Sequence, residues 1–163
     1  MNKLHALTRN IPDGSRVSQE KFERRHYTVL LIVTAFLPLL FLLGRFAGTE
    51  PITGARIPQI PLDRTVGGVA IVAIATGIAA IPQLPRRAKT SLGSFSFMTA
   101  AAVLAYFSGG YIEAHFLYFV GVGVVALYED WAPFAVAILY VALQHSVFGT
   151  IESFSVYNHT AAI

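Results

Sequence analysis

The sequence predicts an all-α fold, a polytopic membrane helix bundle of about five transmembrane helices. Of the 163 residues, 55% are hydrophobic and only 13% are charged. The charged residues gather in a few short stretches instead of recurring along helix faces. This distribution is typical of membrane proteins, because spanning helices are apolar all round. The chain has no cysteine, which excludes disulfides and thiolate metal sites.

A polar tail, residues 1–26, comes first and carries half of the twelve Lys and Arg residues. We interpret this charge as a topology signal and expect no nucleic-acid partner, since an RNA surface interleaves aromatic side chains with basic ones. The tail is expected to be partly disordered or helical along the membrane surface. The apolar run that follows begins too late for a standard signal peptide, so it should stay in the mature protein.

Residues 27–46 form the first predicted span, with Arg45 as their only charged residue. Roughly 20 residues at about 1.5 Å each match a hydrocarbon core ~30 Å thick. Pro38 is expected to kink this helix, as lipid-embedded helices tolerate. Residues 48–64 contain three prolines and predict an extended loop. Residues 66–84 form the second span, whose small residues allow close helix contacts.

The next apolar stretch, residues 91–128, is too long for one span, because a single helix of that length would be about twice the bilayer thickness. We divide it at Gly109 and Gly110. The third span is then 92–107 and the fourth is 112–127.

The polar turn YEDWAP, residues 128–133, joins the fourth span to a fifth over 132–149. Asp130 is a candidate N-cap of the fifth helix. Glu129 and Asp130 are either solvated caps or contacts for a cytoplasmic partner. The bundle is thus expected over 27–149, and the tail 150–163 is too short and too polar to span again.

Basic residues predict the orientation. The N-terminal tail and the segment PRRAK, residues 85–89, should both lie in the cytoplasm, and two intervening spans make these assignments consistent. The 48–64 loop, the glycine turn and the 150–163 tail then lie outside. We expect a multi-pass protein of the bacterial plasma (inner) membrane with a cytoplasmic N-terminus.

Two histidines occupy equivalent positions on the fourth and fifth spans. His115 lies 15 residues before Asp130 and His145 lies 15 residues after it. In an antiparallel hairpin, equal distances put both imidazoles at the same depth, roughly 22 Å from the turn. Glu113 is close to His115 in sequence, and His159 follows the fifth span on the same outer side. Ionisable residues in spanning helices often mark a functional site.

Two imidazoles and a carboxylate suit a transition metal such as Zn, Cu or Fe, with Glu113, His115, His145 and His159 as candidate ligands. Bis-imidazole ligation of haem by His115 and His145 is an alternative. Positions i and i+2 point about 200° apart on a helix, so Glu113 joins His115 only if the helix is unwound near the glycines. The histidines could instead form plain hydrogen bonds or a proton-responsive pair. His5 and His26 are assigned to the tail, outside the cluster.

Motifs of soluble enzymes are absent: the chain has no GxSxG, Walker-type loop, HExxH or dinucleotide fingerprint. We expect no catalytic domain.

The segment SGGYIEAHFLYFVGVGVVALYEDWAPFAVAILYVALQHSVFGTI, followed by VYNH, resembles a multi-helix membrane input module of bacterial signalling proteins. Such modules precede diguanylate cyclase, nucleotide cyclase, histidine kinase or chemoreceptor-type output domains. The resemblance covers roughly residues 23–163 and implies a sensory role. Tyr118 and Gln144 stand near positions where these modules frequently carry further histidines.

What the resemblance implies is a sensor of a metal, haem or small ligand, truncated before its last helix. Its expected partners are the lipid bilayer, a cytoplasmic output domain or partner subunit, and a second copy in a homodimer. A small membrane transporter or membrane metalloenzyme using the same histidines is the rival interpretation, although no internal repeat supports a transporter. A structural membrane anchor is a third.

Overall fold

The computed structural model describes residues 12–14, 16–49, 56–57 and 59–151. These residues form five α-helices: α1 Gln19–Gly44, α2 Leu62–Ala79, α3 Arg86–Phe107, α4 Ile112–Val125 and α5 Trp131–Ile151. A 3-10 turn, Ala126–Tyr128, follows α4, and the two-residue strands β1 Gly48–Thr49 and β2 Arg56–Ile57 pair antiparallel between α1 and α2. The all-α prediction is confirmed, with this small strand pair as an addition.

Four of these helices, α1, α2, α3 and α5, are long and apolar enough to cross a membrane. The fourth predicted span is a shorter apolar helix that ends in the 3-10 turn at Tyr128. The prediction of about five spans is therefore supported for four helices, while α4 is short for the hydrocarbon core.

The break predicted at the two glycines is a helix C-cap. Gly109 and Gly110 have φ of 73° and 77°, in the left-handed region that favours glycine. The Gly110 N–H donates to the Ala105 carbonyl at 2.8 Å, and the Gly109 N–H donates to that of Tyr106 at 3.1 Å. This pair of bonds is a Schellman motif, which ends α3 and lets the chain reverse into α4.

Helix α3 lies at the centre and contacts all four other helices. Small side chains on α3 allow the other helices to approach closely, and the serine hydroxyls make hydrogen bonds to them. Ser94 Oγ donates to the Pro133 carbonyl at 2.7 Å, and Ser96 Oγ lies 2.5 Å from Thr76 Oγ1. Buried residues around α3 form the main core, namely Val33, Leu40, Val72, Phe97, Met98, Ala100, Ala101, Phe107, Tyr118 and Ala137. Close packing of small residues with satisfied hydroxyls is how helices associate in lipid.

The helices alternate in direction, so the bundle has two ends. We call the end where α1 and α3 finish, α4 begins and α5 finishes the histidine end, because His115 and His145 lie there. The opposite end, with the start of α1 and of α3 and the α4–α5 turn, is the basic end.

At the basic end the structure differs from the predicted tail. Helix α1 begins at Gln19, with the Ser18 side chain accepting from the Lys21 N–H, so residues 19–26 are its first turns. Residues before it contact the α4–α5 turn: the Gly14 N–H donates to the Glu129 carbonyl, and the Trp131 N–H donates to that of Pro12, both at 2.9 Å. This part of the tail is thus packed against the bundle.

Candidate functional site

The imidazoles of His115 on α4 and His145 on α5 lie together, with ring centroids 5.4 Å apart and ring planes at 68°. Their equal distance from Asp130 in sequence predicts that the two imidazoles lie at the same depth. In the structure the two rings are in edge-on contact. Both side chains are partly buried. The pair links α4 to α5, which otherwise contact α3 more extensively than each other.

Backbone carbonyls fix the tautomer of both rings. His115 Nδ1 lies 2.8 Å from the Tyr111 carbonyl oxygen, and His145 Nδ1 lies 3.0 Å from that of Val141. A carbonyl oxygen can only accept, so each Nδ1 carries the proton and donates. In the neutral rings each Nε2 therefore keeps its lone pair, which is the arrangement that a metal-binding imidazole requires.

Tyr118 is the third member of the site. Its ring centroid lies 6.0 Å from that of His115 and 5.5 Å from that of His145. Its hydroxyl is buried and has no hydrogen-bond partner among the described residues. In the sequence, Tyr118 stood out only as a position near which the resembled modules frequently carry histidines. Its i+3 spacing from His115, which puts both side chains on one helix face, was the signal that could have found it.

Glu113 does not share this face. Helix α4 is regular from Ile112, so residues 113 and 115 diverge by about 200°, and Glu113 is exposed. The unwinding that would bring Glu113 to the histidines is not observed. His159 lies outside the described residues. Within the parts of the chain that the structure describes, no three His, Asp or Glu side chains group around one metal position.

The distance between the two ring centroids can be compared with that of two imidazoles on one metal ion. A metal–nitrogen bond of about 2.0 Å plus the ring radius puts the centroids of two imidazoles on one tetrahedral ion about 5 Å apart. The observed 5.4 Å is close to this value. The Tyr118 ring lies beside both imidazoles, and its hydroxyl is a further oxygen ligand that this site can offer.

Haem between the two rings would require them to lie farther apart than they do here. Trans ligation of a haem iron would separate the imidazole centroids by about 6 Å, with the porphyrin between them. The edge-on contact leaves no room for that plane. Helices α4 and α5 would have to move apart to admit it.

Comparison with known proteins finds a relative of clear similarity. Over 153 residues the chain is 46% identical to "Transducer protein Htr8" of Halobacterium salinarum. This chain has a transducer as a homologue. The match covers 93% of the chain but 24% of the relative, so the chain spans about a quarter of that protein's length. No family model and no solved structure matches the chain.

The printed name of this homologue agrees, at its coarser level, with the resemblance to signalling proteins. It carries no information on metal or haem. The assignment to a bacterial input module with a particular output domain remains an expectation.

A second polar cluster lies at the basic end, and sequence reasoning missed it. His26, assigned to the tail, is instead buried between helices: its Nδ1 lies 2.9 Å from Tyr128 Oη and its Nε2 lies 2.9 Å from the Ala79 carbonyl oxygen. Phe22 stacks on its ring at 5.8 Å. The partners are 53 and 102 residues away in sequence, so no local pattern discloses them.

The acidic turn also makes intramolecular contacts. Asp130 is buried, and its Oδ1 accepts from the Ala132 N–H at 3.0 Å, which confirms the predicted N-cap. Glu129 forms an ion pair with Arg25 at 2.6 Å, and Arg25 also donates to the Leu127 carbonyl. The turn is therefore tied to α1 rather than left to solvent alone.

Proposed function

We propose that this chain is the membrane-embedded sensory part of a signal-transducing protein, and that the His115–His145 pair is its ligand site. The observation that carries the proposal is the contact of the two imidazoles across the α4–α5 interface, with both Nε2 lone pairs available. The transducer homologue supports the signalling half of the proposal. No enzymatic activity is assigned to this part of the protein.

The proposed ligand is a transition-metal ion, Zn, Cu or Fe, held by His115 and His145 with Tyr118 beside them. When bound, such an ion supplies a strong, directional link between two nitrogen donors. Glu113 and His159 remain proposed contributors, Glu113 only after rearrangement of the first turn of α4. Haem is the less favoured cofactor, because the two rings are in edge-on contact and would have to separate to admit it.

Because α4 and α5 make little direct contact with each other, a ligand can change how these two helices pack. This change in packing would be the signal. A ligand that binds both imidazoles stabilises the arrangement in which the two rings are close, and so shifts the population toward it. The shift can be no larger than the ligand's preference for that arrangement. Helix α5 would transmit it to a cytoplasmic output domain or partner subunit, or across a homodimer.

We further propose a multi-pass protein of the plasma membrane with the basic end in the cytoplasm. Arg24, Arg25, Arg86, Arg87 and Lys89 all lie at that end, which is where the positive-inside rule expects them. The histidine pair would then lie toward the outer boundary of the lipid bilayer.

The ligand proposal is tested by purifying the chain in detergent and measuring bound metals by mass spectrometry and haem by absorbance. We expect about one transition-metal ion per chain. His115→Ala and His145→Ala should each weaken metal binding by at least about tenfold, since each removes one of two nitrogen donors.

Ser146→Ala is the matched control, because Ser146 is exposed and follows His145 directly on α5. It should retain the metal. A wild-type protein free of metal and haem after exposure to Zn, Cu and Fe, or metal that survives both histidine substitutions, contradicts the proposal.

A further inference from the structure

We propose a second binding site, a groove between α2, α3 and α5 that takes an amphiphile from the membrane: an apolar body with a hydroxyl headgroup. The groove has a volume of about 400 Å³. That volume lies within the range of small-molecule pockets in proteins.

The walls of the groove are mostly apolar, with Ile71 from α2, Val103 from α3 and Phe148 from α5 among them. It is open on one side, where exposed Ile71 and Phe148 form part of the apolar outer surface. A ligand would therefore enter from the lipid, and its body would be apolar.

One polar group at the groove has no partner. Gln144 lines it, and its Oε1 is buried with no hydrogen bond to any described residue. Neighbouring polar groups are engaged: Tyr106 Oη accepts from Arg64 at 2.9 Å, and Thr99 Oγ1 donates to the Phe95 carbonyl at 2.8 Å. The terminal amide torsion of glutamine is soft, so a small rotation can turn Oε1 toward a ligand. A hydrocarbon chain offers no donor, whereas a hydroxyl does. A protonated amine would be repelled by the Arg64 guanidinium, which also lines the groove.

The groove lies beside the histidine pair but does not include it. Gln144 and His145 are consecutive on α5, so about 100° separates their directions around the helix axis. An occupant that contacts Gln144 thus presses on the same helical turn that carries His145. This inference goes beyond the metal proposal and does not depend on it.

Two glycines on α2 give a matched pair of variants. A Cβ at Gly67 or at Gly77 would meet no atom within 4 Å, so both positions accept a larger side chain. Gly67 lines the groove, whereas Gly77 does not. Gly67→Leu adds a bulky side chain at the wall of the groove and is expected to narrow it, and Gly77→Leu adds the same side chain elsewhere on the same helix.

The probe is dodecanol carrying a photoreactive diazirine on its chain, added to the full chain in detergent and mapped by mass spectrometry. We expect saturable cross-linking to α2 and α5 that unlabelled dodecanol displaces and dodecane does not. Gly67→Leu should abolish the saturable labelling, and Gly77→Leu should retain it. Gln144→Leu should weaken dodecanol binding by about tenfold.

Displacement by dodecane as effective as by dodecanol would identify an ordinary lipid-facing surface and overturn the proposal. Equal labelling of Gly67→Leu and wild type would do the same. Labelling that disappears as protein concentration rises would show that a second copy covers the groove, which also overturns it. Metal content, measured on the same Gly67→Leu sample, separates failure of this site from failure of the histidine site.

Discussion

The clearest residue-scale device is the ring of His26, which joins three parts of the chain. Because a carbonyl oxygen can only accept, Nε2 carries the proton toward Ala79, and in the neutral ring Nδ1 accepts from the Tyr128 hydroxyl. This tautomer is the opposite of that at His115 and His145, where Nδ1 donates. Both nitrogens of the imidazole at the basic end therefore make hydrogen bonds, whereas each imidazole at the histidine end keeps one nitrogen lone pair free.

His26→Leu is expected to destabilise the protein by about 2–3 kcal/mol, because it leaves the buried Tyr128 hydroxyl and the Ala79 carbonyl without partners. The measurement is thermal unfolding in detergent. Tyr27→Leu, at an exposed neighbouring position, should change the unfolding temperature little.

Adding Tyr128→Phe to His26→Leu should recover part of the loss, since the double variant buries one fewer unpaired hydroxyl. A His26→Leu protein as stable as wild type would show that the two hydrogen bonds contribute nothing.

At the scale of elements, glycines mark which face of α4 packs on α3. A Cβ at Gly121 would lie 2.5 Å from Met98 Cε and 2.7 Å from Phe97 Cδ1, so only glycine lets the helices approach this closely. A Cβ at Gly123, two residues on, would meet nothing within 4 Å. The same residue type therefore has opposite roles on two faces of one helix.

We expect Gly121→Val to destabilise the protein by about 1–3 kcal/mol, because the added methyl groups must displace the Phe97 ring. Gly123→Val is the control and should stay within about 0.5 kcal/mol of wild type. Equal shifts of the unfolding temperature would contradict this assignment of the packed face.

The elements also show how far the sequence could be interpreted. The lengths of the apolar stretches in the sequence predicted the helices, and the two glycines predicted the break after α3. Both signals are local in the sequence. The start of α1 was missed because its polar first turns are held by distant contacts, such as Lys89 with Glu23 at 3.2 Å. The histidine pair was predictable because, on two helices joined by a short turn, residues equally far from the turn in sequence lie at the same depth in the membrane. The position of Tyr118 between the rings depends on helix rotation, which composition does not fix.

For the whole molecule, the two ends differ in chemistry. The basic end is closed by ion pairs that connect α1, α3 and the α4–α5 turn: Arg25 with Glu129, Glu23 with Lys89, and Arg87 with Asp130. Each such partly exposed pair contributes at most about 1 kcal/mol. The histidine end instead carries the imidazoles with open nitrogen positions. We therefore expect a ligand to act at the histidine end, where these nitrogen positions are open.

This polarity has a direct test, because the chain contains no cysteine and an introduced one is unique. Ile112 is exposed at the histidine end, and Gln83 is exposed at the basic end. The cytoplasm retains the end rich in Lys and Arg, since moving those charges across the bilayer is costly. A membrane-impermeant maleimide should therefore label Ile112→Cys in intact cells, but Gln83→Cys only after permeabilisation. The reverse pattern would invert the topology, and labelling of both variants in intact cells would contradict a membrane-spanning bundle.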